Sequence, residues 1–312
     1  MRLADAYYFV KPLIPRRLQL MLRWAVIRLK RSFYADCWPI DERASKHPPG
    51  WSGWPGGKKF AVVLTHDVDT AKGHARCKQL MELEQRFHCR SSFNFVPERY
   101  QVSAEVRQDL EANGFEVGVH GLRHDGNLFS SKERFAKEAL QINHYIKEWG
   151  SVGFRSPCMY HNLEWIADLN IEYDASTFDT DPFEPQPDGV ATIFPFMVAN
   201  APRQRTYVEL PYTLSQDFTL FVLMKEGKID IWKKKLDWVA RHGGMVLVNT
   251  HPDYMCFSEG RPQMEEYPSK LYEDLLSYIQ TQYQGQYWHA LPRDVARFWR
   301  NTYHSAHASE CA

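Results

Sequence analysis

Four polar clusters stand out for the chemistry their side chains could do together. Thr65-His66-Asp67-Val68-Asp69 sets two carboxylates two residues apart, directly after the apolar run Phe60–Leu64. Asp is common as a cap in strand-to-helix loops, so either carboxylate alone says little. In His120-Gly121-Leu122-Arg123-His124 two imidazoles stand at i and i+4; they can meet one ion where the backbone turns tightly, and Gly121 permits such a turn. Joined to a free carboxylate from another segment they form a two-His, one-carboxylate set with open coordination positions. Such a set suits hydrolysis with zinc, or Fe(II) or Co(II) chemistry, and Asp69 is the natural third ligand. The third cluster, Val248-Asn249-Thr250-His251-Pro252-Asp253, feeds an apolar run straight into an imidazole, which places His251 either as a general acid or base or as a hydrogen-bond partner of its own loop. The fourth, Gly153-Phe154-Arg155-Ser156-Pro157, offers a guanidinium that can clamp a carboxylate or stand as a rim charge.

These clusters need elements to carry them. Short β-branched or aromatic runs alternate with longer helical patterns, the signature of a parallel sheet with crossover helices, either a β/α barrel or an open α/β sheet. Strands are expected at Phe60–Leu64, Ser92–Val96, Glu116–Val119, Val152–Phe154, Val208–Leu210, Met245–Val248 and Tyr287–His289, with helices near 75–88, 103–113, 131–148, 229–241 and 269–283 and from Pro292 to about Trp299. Three of the four clusters then fall just past strand ends and the fourth follows a short strand, where parallel β/α architectures build their sites. Residues 171–228 read as irregular, and the proline-rich stretch from Asp179 to Gly189 reads as a long ordered loop.

Ahead of this body, Leu18, Met21, Leu22, Ala25, Val26, Leu29 and Phe33 recur at helical spacing with Arg16, Arg23, Lys30 and Arg31 opposite; Leu20 and Ile27 interrupt the polar face. Such a helix either docks its apolar stripe on the main domain or lies on anionic lipid with Trp24 near the interface. Residues 47–57, His47-Pro48-Pro49-Gly50-Trp51-Ser52-Gly53-Trp54-Pro55-Gly56-Gly57, are too rich in Pro and Gly for helix or central strand and read as a linker or the lip of a domain.

The 312 residues carry 38 Lys and Arg against 38 Asp and Glu, which argues against wholesale nucleic-acid binding. The balance is a cancellation. Residues 1–35 hold eight Lys or Arg and only Asp5, so a basic head of +7 precedes a body of −7. No apolar run approaches the roughly 18 to 20 residues needed to span a bilayer, and no secretory leader is evident. The six cysteines lack zinc or disulfide spacing, which fits reduced thiols in a cytoplasmic protein, peripheral at the inner membrane if the helix binds lipid.

Taken in order, Thr-x-Asp-x-Asp, His-x-x-x-His, Arg-x-Pro and Thr-His at successive strand ends resemble the polysaccharide deacetylases, the NodB-homology or carbohydrate esterase family 4 group. The resemblance spans roughly residues 58–300. It implies a distorted (β/α) barrel over 58–312, preceded by a basic helical extension and linker over 1–57. It implies that Asp67 is the general base, that Asp69, His120 and His124 hold a divalent metal, Zn2+ or alternatively Co2+, Fe2+ or Ni2+, that Arg155 pairs with Asp67, and that His251 is the general acid. The family pattern sets its two Asp side by side, as Thr-Phe-Asp-Asp-Gly; here Val68 separates them, and on a strand that spacing places both carboxylates on one face. The family's Asp followed shortly by Trp is matched least well: Asp179 is the candidate partner of His251, with Asp174 as its rival and Phe183 as the aromatic wall. Pro157, Tyr160, Phe183 and Tyr254 are the expected substrate contacts, the backbone N–H of Tyr160 as an oxyanion donor, with Trp165 and Phe257 as further groove aromatics. The implied reaction removes an N-acyl group, acetyl above all, from a sugar or a lipid- or nucleotide-linked glycan in surface polysaccharide biosynthesis. The alternatives are a deformylase or other C–N amide hydrolase of the same fold, and a non-catalytic glycan-binding homologue.

Overall fold

The computed structural model describes residues 15–200 and 205–310. Eleven strands and seven longer helices build it. The strands are β1 (Phe60–Val68), β2 (Ser92–Phe95), β3 (Glu116–His120), β4 (Gly153–Arg155), β5 (Tyr173–Asp174), β6 (Phe196–Asn200), β7 (Arg205–Glu209), β8 (Met245–Thr250), β9 (Met255–Cys256), β10 (Tyr267–Pro268) and β11 (Tyr287–His289). The helices are α1 (Arg16–Phe33), α2 (Cys77–Arg86), α3 (Ala104–Ala112), α4 (Lys132–Glu148), α5 (Asp230–Arg241), α6 (Lys270–Gln282) and α7 (Pro292–Glu310).

β1 is the hub of the sheet. It pairs in parallel with β8 along one edge and with β11 and then β2 along the other, and the order continues β2, β3, β4, β5, β7, with β6 antiparallel at the end. All nine residues of β1 are buried, as a strand covered on both faces requires. Two single bridges, Phe178 to Tyr212 and Leu214 to Val248, carry the segment after β7 back to β8 and curl the sheet into a distorted α/β barrel. The crossover helices begin where side chains cap them: Ser103 accepts from the Val106 amide at the start of α3, and Ser131 from Arg134 at the start of α4.

The chain departs from its sequence-based expectations in three places. The stretch 171–228 holds β5, β6, β7 and a π-helical turn at Phe218–Leu223, so it is less irregular than its lack of periodicity suggests. The segment 36–57 is built into the body: Trp38, Ala44 and Trp54 join the main core, Trp38 donates its indole N–H to Ser215 Oγ, and Trp51 packs on Trp299 with ring centroids 5.0 Å apart. Finally, α1 does not dock by its apolar stripe. Leu20 and Ile27, the residues that interrupted the polar face, are the buried ones, while Leu18, Met21, Leu22, Val26, Leu29 and Phe33 face outward. Polar ties explain the orientation: Lys30 Nζ donates to the Pro182 carbonyl at 3.1 Å, Arg31 pairs with Glu226 at 2.6 Å, and the Arg23 guanidinium sits 5.0 Å from the centre of the Phe218 ring. Among the described residues no helix is long and apolar enough to cross a membrane.

Candidate active site

At the carboxyl ends of β1, β3 and β8 lies a cleft of about 880 Å³, lined by Asp67, Asp69, His120, His124 and His251 among others. Asp69, just past β1, brings Oδ1 to 3.1 Å from His124 Nε2 and 3.4 Å from His120 Nε2. The ligand atoms of the three residues lie within 4.8 Å of one another, and they form the one such group of His, Cys, Asp and Glu among the described residues. The loop geometry that permits this is local. Gly121 has φ +63°, a Cβ there would meet Pro157 Cγ at 2.4 Å, and His124 itself adopts φ +55°.

The donor chemistry of this group fits a divalent cation. His120 Nδ1 lies 3.0 Å from the Arg155 carbonyl, which fixes the proton on Nδ1 and leaves the Nε2 lone pair toward Asp69. Asp69 Oδ1 is buried with no hydrogen-bond partner, an orphaned anion oxygen aimed between two imidazole nitrogens. Burial opposes its charge, yet His124 and His120 outweigh that and hold its carboxyl well below the usual range.

Asp67, inside β1, is held from three sides. Asn94 Nδ2 donates to Oδ1 at 3.0 Å, Asn249 Nδ2 to Oδ2 at 2.8 Å, and Arg155 Nε stands 3.5 Å from Oδ1. Burial raises the carboxyl's pKa, but its neighbours His120, Arg155 and His251 and the Asn94 amide more than offset it, so Asp67 stays ionised. Arg155 is fully buried and also donates to Thr65 Oγ1 at 2.9 Å, which in turn donates to the Val248 carbonyl. Asn94 reaches Asp67 only because its partner across the sheet is Gly118: a Cβ there would lie 2.0 Å from Asn94 Oδ1.

His251 is the third centre. Its Nδ1 lies 2.7 Å from Asp217 Oδ1, and Asp217 Oδ2 accepts from the His251 backbone N–H and the Tyr267 hydroxyl, both at 2.8 Å. Burial works against an imidazolium, but Asp217, with Asp69 and Asp67 behind it, pushes the His251 pKa up to about 10. Tyr254 lies beside the ring, with centroids 5.2 Å apart and the planes tilted by 53°.

Several expected residues are placed elsewhere. Asp179 is not the partner of His251; its carboxylate faces Lys235 Nζ at 2.5 Å in the buried interior, where desolvation raises its pKa to about 6 against the pull of that lysine. Asp174 is also excluded, since it lies on β5, accepting from Ser176 Oγ and sharing a hydrogen bond with the Glu209 carboxyl. The position belongs to Asp217, which precedes the Phe218–Leu223 turn. The available signal was an Asp followed directly by an aromatic, Asp217-Phe218, in a stretch set aside as irregular. Phe183 and Tyr254 do line the cleft. Pro157 and Tyr160 are not among its lining residues: Pro157 packs beneath Gly121, and the Tyr160 N–H is taken by the Pro157 carbonyl at 3.3 Å, which leaves no oxyanion donor there. Trp165 instead packs on Phe129 and Phe135, and Phe257 against the core. His66, directly before Asp67 in sequence, points into the core, 2.7 Å from Thr250 Oγ1 and 2.9 Å from Glu84 Oε1. Sequence reasoning did not find the roles of Asn94, Asn249, Asp217 or Tyr267. It also did not find Asp253, whose carboxylate accepts from the Asp69 backbone N–H at 2.9 Å and so ties the end of β1 to the loop after β8.

No protein-family model matches the chain, and no curated protein matches it at a significant level. Solved structures do. A protein assigned as a polysaccharide deacetylase from Mycobacterium smegmatis superimposes with a TM-score of 0.63 at 19% identity, over 82% of this chain and 95% of its own. PuuE allantoinase gives 0.64 at 17% identity, over 85% and 98%, and a protein described as a polysaccharide deacetylase from Pseudomonas aeruginosa gives 0.61 at 17%, over the same shares. The chain therefore has the polysaccharide deacetylase fold, a curled half-barrel of parallel strands.

Proposed function

We propose that this protein is a metal-dependent hydrolase that removes an N-acyl group, acetyl first of all, from a carbohydrate. The observation that carries this reading is the convergence of three differently tuned centres on one cleft: an Asp-His-His set, a clamped ionised carboxylate, and an imidazole paired with a buried carboxylate. A binding module has no use for a base and an acid of this kind flanking a metal set. The likeness to solved deacetylases and to an allantoinase agrees with amide hydrolysis, and the deacetylase likeness supports a sugar as the substrate.

Asp69, His120 and His124 would hold the cation, Zn2+ being the best match to two imidazoles and one carboxylate. When bound, it supplies a Lewis acid that acidifies water and polarises an acyl carbonyl. Asp67 accepts the proton of the attacking water; its two Asn donors and Arg155 keep it ionised and fix the face it presents. His251, held as an imidazolium by Asp217, donates a proton to the departing amine, which is otherwise a poor leaving group. Phe183 and Tyr254 give the cleft apolar faces for a sugar ring.

The test is mass spectrometry of a panel of N-acyl sugars, free, nucleotide-linked and lipid-linked, after incubation with metal-supplied protein. A loss of about 42 Da marks deacetylation and about 28 Da deformylation, since acyl hydrolysis is the chemistry of this site. No loss from any member would return the protein to the binding-module reading.

A further inference from the structure

The outward face of α1 is unlike the rest of the surface. Of the ten large apolar side chains exposed among the described residues, eight lie between Leu18 and Tyr34, including Phe33 at 82%, Leu29 at 66% and Met21 at 65%. Surface apolar residues are ordinarily scattered, so a continuous stripe of this kind marks something that covers it. The charge pattern says what. Residues 16–33 contain six Lys or Arg and no Asp or Glu. Arg17 and Arg28 are exposed on the helix beside the stripe, and Arg28 packs over Trp24 at 5.3 Å. An apolar face rimmed by cations, with an indole at its edge, is complementary to an anionic bilayer surface, where the side chains enter the acyl boundary and the cations meet the headgroups.

The same helix walls the cleft. Gln19 and Arg23, on the side that docks against the body, line it together with Phe183 and Phe218. By helical angle they follow directly on Leu22 and Val26 of the stripe, so the lip of the cleft continues the apolar face without a gap. One of the two remaining exposed apolar residues, Met264, also lines the cleft.

We infer that α1 lies in the surface of an anionic membrane and opens the catalytic cleft onto it, so that the substrate is an N-acylated sugar carried on a lipid. The surface half of the inference stands on the helix alone; the substrate half rests on the deacylase reading. A lipid-borne sugar would enter over the lip formed by Gln19 and Arg23 while its chain stays along Leu22 and Val26.

The experiment uses the full chain and the variant Met21→Ser, Leu29→Ser, Phe33→Ser, which alters exposed positions and leaves the charge unchanged. Sedimentation with vesicles of equal phosphatidylcholine and phosphatidylglycerol should carry down the wild type, phosphatidylcholine alone should carry much less, and the variant should bind about ten-fold more weakly. Salt near 1 M, where screening falls to about 3 Å, should weaken the wild-type binding. A wild type that stays in solution, a variant that binds equally, or a wild-type dimer that the variant dissolves without vesicle binding would each overturn the inference. For the substrate half, N-acetylglucosamine on a long-chain lipid in those vesicles should be turned over with a kcat/KM about ten-fold above that of a soluble oligosaccharide, and the variant should lose only that advantage. Equal turnover of both substrates overturns the substrate half. No turnover of either defeats the deacylase reading and the substrate half with it, while the sedimentation result still decides the surface half.

Discussion

At the scale of single residues, the cleft works through neighbours that set charge: Asn94, Asn249 and Arg155 surround Asp67, and Asp217 holds His251. Asp67, Asp69, His120, His124 and His251 stand out because carboxylates and imidazoles at strand ends are costly to bury without a task. Asn94 and Asn249 look like any polar residue until the fold sets both amides against one carboxylate. Asp217 lies in a stretch with no hydrophobic period to suggest an element, so the sequence points to Asp179 and Asp174 where the structure places Asp217. The correction has a measurable consequence. Asp217→Asn should lower the His251 pKa and move the alkaline limb of the pH–rate curve to lower pH with bound metal unchanged, whereas Asp179→Asn should leave that limb in place. Because the folded pKa of His251 is raised, from 6.5 to about 10, the pair's contribution to stability is complete below about 6.5 and is lost as pH rises through about 10. Thermal melts of the metal-free protein across that window should show the loss in the wild type and much less of it in Asp217→Asn.

At the scale of elements, most strands and helices followed from periodicity, since apolar runs and 3.6-residue stripes report burial directly. What periodicity does not report is the glycine that a neighbour's side chain demands. Gly118 sits on β3 opposite Asn94, and a methyl group there would displace the amide that clamps Asp67. Gly118→Ala should keep the fold and bound metal but reduce turnover by about ten- to a hundred-fold, as expected when a general base is misplaced. Gly121→Ala is a different case: its left-handed φ and the adjacent Pro157 ring oppose any Cβ, so it should cost about 1–3 kcal/mol in stability and weaken metal binding through His124. Chemical denaturation together with a metal titration separates the two. The helix α1 shows the opposite failure. Its stripe is plain in the sequence, but amphipathicity says only that one face differs from the other, not which face meets the body. The buried Leu20 and Ile27 mark that face, and the ties of Arg23, Lys30 and Arg31 to residues far along the chain hold it there.

For the whole molecule, the equal numbers of acidic and basic residues resolve into a basic helix with an outward apolar stripe and an acidic body that sets Asp67, Asp69, Glu184 and Asp253 into the cleft wall. The barrel and α1 meet at that cleft, residues 36–57 pack into the core, and the metal set is a further tie between β1 and β3. Metal that binds only the folded state stabilises it by about 2.7 kcal/mol at a hundred times its dissociation constant. Added Zn2+ should therefore raise the melting temperature of the wild type and leave that of Asp69→Asn nearly unmoved. The most direct measurement is metal content and turnover determined together on the wild type, Asp67→Asn and His120→Ala. The site as described predicts that Asp67→Asn retains metal but loses turnover by about 10²- to 10⁴-fold, the usual worth of a general base, while His120→Ala loses both. Full activity in Asp67→Asn, or wild-type metal content in His120→Ala, would contradict it.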